Sequence, residues 1–72
     1  MQAGETTGTY DLLKRNGIPF EQDRSHGMEL LVLHATQTEP SSLRRLGFRL
    51  GHGLGEIQYL IYFRGRFCGV VM

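Results

Sequence analysis

Apolar and polar positions alternate with two different periods along this chain, and the changes of period mark its elements. Residues 1–8 place Gly4 and Gly8 among threonines and read as a loose lead-in. Thr9 can cap a short helix over residues 10–16, with Asp11 in its first turn, Lys14 and Arg15 in its last, and Gly17 following as a stop. Residues 18–24 put Ile18 and Phe20 on one side and Glu21 and Asp23 on the other, the pattern of a half-buried strand. Pro19 places that strand at an edge or marks where it begins. Ser25, His26 and Gly27 form a turn. Residues 28–35 carry Leu30, Leu31, Val32 and Leu33 in a row, which predicts a central strand covered on both faces.

After a connection over residues 36–40, Thr38, Ser41 or Ser42 can cap a second helix over residues 41–50. Leu43, Leu46 and Leu50 fall on one stripe of that helix, and Arg45 and Arg49 lie one turn apart on the other. Gly47 within it costs about 1 kcal/mol relative to alanine. Residues 51–55 read as a flexible glycine-punctuated loop. Residues 57–63 and 66–72 are β-rich runs separated by Arg64-Gly65, a tight-hairpin signature. The simplest register pairs Phe63 with Arg66, Ile61 with Cys68, Tyr59 with Val70 and Ile57 with Met72. Both faces of that hairpin are then largely apolar.

These elements give an α+β chain in the order α-β-β-α-β-β: one small domain over residues 1–72, a mainly antiparallel sheet with two short helices packed on one face. A chain of 72 residues buries little surface. Cys68 is its single cysteine, so no disulfide can form within it, and no His or Cys spacing suits zinc. Dense packing, self-association or a partner must stabilise it. The lone thiol suits a reducing compartment, and the polar start lacks the basic and apolar regions of a signal peptide. The longest apolar run, Leu30 to Leu33, is too short to cross a bilayer. A soluble cytoplasmic protein with no cofactor, metal or membrane partner is the expectation.

Charge sharpens this picture. Residues 1–39 carry Lys14, Arg15 and Arg24 against Glu5, Asp11, Glu21, Asp23, Glu29 and Glu39, a net of −3. Residues 40–72 carry Arg44, Arg45, Arg49, Arg64 and Arg66 against Glu56, a net of +4. Such asymmetry marks a partner surface unless the halves neutralise each other within the fold. Arginine also offers a planar fork suited to carboxylate and phosphate.

Candidate chemistry is sparse. Gly51-His52-Gly53-Leu54-Gly55 follows a helix and precedes a strand, the wrong order for a phosphate cradle, which needs a helix N-terminus after it. His34 ends the central strand on the face of Met28, Leu30 and Val32 and reads as a hydrogen-bonded, half-buried residue. Arg64-Gly65-Arg66-Phe67 invites comparison with the RNP1 strand of RNA-recognition motifs, but Arg66 stands where an aromatic belongs and the element order differs. The physics carries over: two arginines at a hairpin tip beside Tyr62, Phe63 and Phe67 can bind phosphate and stack on bases. Cys68 lies on an apolar face and reads as core.

Leu12-Leu13-Lys14-Arg15-Asn16-Gly17, then Ser25-His26, then Pro40-Ser41-Ser42-Leu43-Arg44-Arg45-Leu46-Gly47 resembles the HicA-type mRNA interferase toxins over residues 9–50. The resemblance implies His26 as the RNase histidine. The chain departs from that pattern in lacking a glycine before the serine, in its hydrophobic central strand and in its terminal hairpin.

Three readings follow in order. The first is a non-enzymatic binding module, an inhibitor or regulator of phage or mobile-element type. It docks on an acidic protein through Arg44, Arg45, Arg49, Arg64, Arg66 and Tyr62, and the excess of apolar sheet meets that target or a second copy of the chain. The second is a nucleic-acid-binding domain using the same arginines. The third is an RNase toxin acting through His26.

Overall fold

A computed structural model describes residues 2–25, 27 and 29–72, with residues 2–7 described in backbone alone. Two helices and five strands follow one another as α1 (Gln2–Arg15), β1 (Glu21–Asp23), β2 (Leu30–Leu33), α2 (Pro40–Arg45), β3 (Phe48–His52), β4 (Tyr59–Phe63) and β5 (Arg66–Val71). The α+β class is as expected. The order α-β-β-α-β-β-β has one strand more than the hydrophobic pattern suggested.

That extra strand comes from a helix that stops early. Glu39 occupies the N-cap with no side-chain bond, so Thr38, Ser41 and Ser42 do not cap α2, and Pro40 opens it instead. Gly47 takes φ +107°, a conformation that ends a helix and that other residues rarely adopt. The chain therefore leaves the helix before Phe48 and runs extended through residues expected to be helical or looped. Phe48 is buried and Leu50 half-buried, with Arg49 exposed between them, a period of two. The predicted helical face shared by Arg45 and Arg49 does not form.

At the other end α1 begins at Gln2, not at residue 10, and replaces the predicted lead-in. Glycine and threonine weaken a helix without forbidding it, since each residue added to a nucleated turn gains one hydrogen bond.

The sheet runs β1-β2-β5-β4-β3. β2 and β5 pair in parallel and every other neighbour is antiparallel. The Arg64-Gly65 turn has φ of +54° and +79°, the double positive φ of the tight hairpin read from the sequence. Phe63 pairs with Arg66 as expected. A β-bulge then inserts one residue in β5, so Ile61 pairs with Gly69, Leu60 with Val70 and Tyr59 with Val71. Val71 and not Val70 thereby joins Ile61 and Tyr59 on one face.

Leu13, Ile18, Leu31, Leu33, Leu43, Phe48, Ile61 and Val71 form one buried cluster. Phe48 and Phe63 pack rings at 5.0 Å within and beside it. Tyr10 stacks on Phe20 at 5.5 Å against the same cluster. Strand β2 is thus buried through Leu31 and Leu33, while Leu30 and Val32 stay half-buried on the other face. It is not a strand covered equally on both sides.

Candidate binding surface

Strand pairing fixes which side chains share the sheet face away from that cluster. One row across it reads Glu21, Val32, Val70, Leu60, Gly51. Two residues along each strand, and three along bulged β5, a second row reads Asp23, Leu30, Phe67, Tyr62, Arg49. Both rows start acidic on β1 and turn apolar across the middle. The second ends basic on β3. None of the six apolar residues belongs to the buried cluster or packs against it. Val70 is nevertheless buried, at 9 % exposure, by its neighbours on the central strand, while Phe67 is 42 % exposed. Tyr62 and Phe67 meet edge to face at 5.6 Å. A shallow cleft lined by Arg49, Gly51, Tyr62 and Gly65 flanks the pair.

The arginines singled out in the sequence fall on different elements. Arg49 and Tyr62 are cross-strand partners, and the hairpin tip carries Arg64 two residues beyond Tyr62. Arg44 and Arg45 lie in the last turn of α2. Arg66 opens β5 opposite Phe63. All five are exposed. Arg64 lies 5.4 Å from the centre of the Phe63 ring, a cation–π geometry.

Among the described residues, Asp11, Glu21, Asp23 and Glu29 find partners within the first half. Arg15 bonds Asp11 at 3.3 Å, Arg24 bonds Glu29, and His34 lies 3.6 Å from Glu21. Asp23 Oδ1 accepts the Ser25 backbone N–H at 2.9 Å and its hydroxyl at 2.7 Å. Among residues whose side chains are described, no carboxylate lies within ion-pair distance of Arg44, Arg45, Arg49 or Arg64.

The remaining candidates are simply placed. His34 is half-buried beside Glu21, close to its reading from the sequence. Gly51 and His52 belong to β3 and not to a flexible loop. Burial pushes the Cys68 thiol above its ordinary value, only partly offset by a backbone hydrogen bond from Phe63. Its Sγ also lies 3.4 Å from the Arg66 carbonyl oxygen. His26 lies outside the described residues, as does Met28. No described helix is long and apolar enough to cross a membrane. No cluster of His, Cys, Asp or Glu suited to a metal occurs among the described residues.

The apolar rows do not follow from the hydrophobic pattern alone, although a hairpin apolar on both faces is their signal. Asp23 was missed as a member because its position beside Leu30 depends on the register of β1. Comparison with known proteins yields no matching family model, no matching curated protein and no matching solved structure, so any functional reading rests on these residues themselves.

Proposed function

We propose that the chain is a small non-enzymatic binding module, an inhibitor or regulator that docks on an acidic protein surface in the cytoplasm. The observation that carries this reading is the set of exposed arginines, Arg44, Arg45, Arg49 and Arg64, none of which pairs with a carboxylate among the described side chains. Exposed ion pairs contribute only about 0–1 kcal/mol each to stability, so folding gives little reason to retain them. An acidic partner does, through steering and selectivity. Both helices laid over the Leu31, Leu33 and Ile61 face would leave the opposite face and the hairpin tip open for contacts. The half-buried thiol of Cys68 suits a reducing compartment.

Arg49 beside Tyr62, with Arg64 at the neighbouring tip, supports nucleic acid as the second reading, since cations and stacking rings are what a single strand requires. One experiment separates the two. Arg44, Arg45 and Arg64 are changed together to Ser, and capture of the partner from a lysate of the source cells is followed with salt. Loss of capture with an unchanged melting temperature supports the binding surface. A large fall in melting temperature with capture retained makes the arginines structural. Nuclease-sensitive capture that falls steeply with salt favours nucleic acid.

A further inference from the structure

We infer that the open face of the sheet is closed by a second copy of this chain, packed face to face about a two-fold axis that runs parallel to the strands. The inference goes beyond the arginine surface, with which it shares Arg49 and Tyr62, and rests on the apolar rows. Its basis is self-complementarity. β5 is the middle strand of five, so a two-fold axis above it places β1 of one copy over β3 of the other and β2 over β4. An axis parallel to the strands preserves position along them, so each row described above meets the same row of the partner in reverse order.

In the second row, Asp23 then faces Arg49, Leu30 faces Tyr62, and Phe67 meets its own counterpart. In the first row Val32 faces Leu60 and Val70 meets Val70. The apolar centre is excluded from water and each end of the second row carries opposite charges, twice over by symmetry. The other in-plane axis, perpendicular to the strands, sets β3 over β3, bringing the two copies of Arg49 together, and the acidic β1 edge over itself. Like charges there disfavour it. Exposed Glu21 opposes Gly51, which presents no side chain to obstruct it. Face-to-face sheets cross at about −30°, so the correspondence is closest near β5 and loosens toward the edges.

Size sets the strength. Five strands at about 4.8 Å spacing and roughly 17 Å of strand give a flat projection of roughly 300–350 Å², well under the roughly 800 Å² per partner of a standard interface. A dissociation constant of tens of micromolar is therefore expected, about 6–7 kcal/mol as a free energy.

Sedimentation equilibrium of the whole chain from about 5 to about 500 μM tests this, the range bracketing that affinity. The wild type should move from monomer to dimer mass. Phe67→Lys, at an exposed position, sets two ammonium groups against each other on the axis and should stay monomeric with its circular dichroism unchanged. Arg49→Asp and Asp23→Arg should each weaken the dimer about tenfold or more, and the double variant should return to within about threefold of wild type. Thermal unfolding of each variant at low concentration confirms that the monomer is folded.

A clean wild-type monomer up to the highest concentration overturns the inference. So does a dimer indifferent to Phe67→Lys, which would place the interface elsewhere, or a double variant no better than its parents, which would exclude the parallel axis. Each failure leaves the arginine reading to its own test, because Arg44, Arg45 and Arg64 are unchanged throughout.

Discussion

A methyl group on Gly69 would lie 2.0 Å from the Leu31 carbonyl oxygen and 2.7 Å from its backbone nitrogen, across the pairing of β2 with β5. Backbone cannot swing aside as a side chain can, so Gly69→Ala should part the sheet and abolish the cooperative thermal transition. Retention of a wild-type transition would mean that β2 and β5 are not paired this way. Thr38 is the opposite case, a polar group buried where an apolar one would fit. Its hydroxyl is buried with no hydrogen-bond partner among the described residues, so Thr38→Val should raise stability by about 1 kcal/mol, read from chemical denaturation. Tyr10 links stability to pH. Burial first, and then its hydroxyl's hydrogen bond to Glu29 Oε1 at 2.9 Å, raise its pKa above the ordinary 10.0. The folded state thus holds the proton longer than the unfolded state. That contribution is fully present below about pH 10 and is lost as pH rises through the folded value. Tyr10→Phe should flatten the alkaline fall in melting temperature, and an unchanged fall would assign it to other groups.

Among the elements, the terminal hairpin governs the rest. Ile61 is fully buried at the centre of the cluster, and Ile61→Asp should leave no soluble folded protein, since an unpaired charge there is costly. A near-wild-type cooperative transition would contradict that burial. Arg64 holds φ +54° in the hairpin turn, which asparagine adopts more readily, while Phe63 gives the arginine a cation–π contact. Arg64→Asn therefore sets turn geometry against ring contact, and a melting temperature within a few degrees of wild type is expected. The hairpin was legible because two β-rich runs around Arg64-Gly65 leave few alternatives. Its register beyond Tyr62 was not, because a bulge adds one residue for reasons of sheet pairing that no local pattern displays. β3 was hidden for a related cause: Leu43, Leu46 and Leu50 satisfy a helical period, and the conformation of Gly47 decides where that period ends. The candidate surface shared both faults. Arg49 and Tyr62 were named, but Arg49 was placed on a helix, and the row joining it to Leu30 and Asp23 exists only after five strands are aligned.

At the scale of the whole molecule, β5 joins a β1–β2 ladder to a β3–β4 ladder, and nothing else in the sheet does. Each outer ladder is antiparallel and closes over a short separation in sequence, whereas Leu31 pairs with Gly69 across most of the intervening chain. Ordering so long a segment before its contacts are rewarded is an entropic cost that falls on the route to the native state. The parallel seam should accordingly be the slow step of folding, with its contacts partly made at the barrier. Val71→Ala, buried beside Leu33 on that seam, should then lower the refolding rate in stopped-flow experiments. Gln22→Gly, on the exposed edge strand, should act mainly by speeding unfolding. Equal partition of both variants between the two rates would instead mean that the ladders and the seam assemble together.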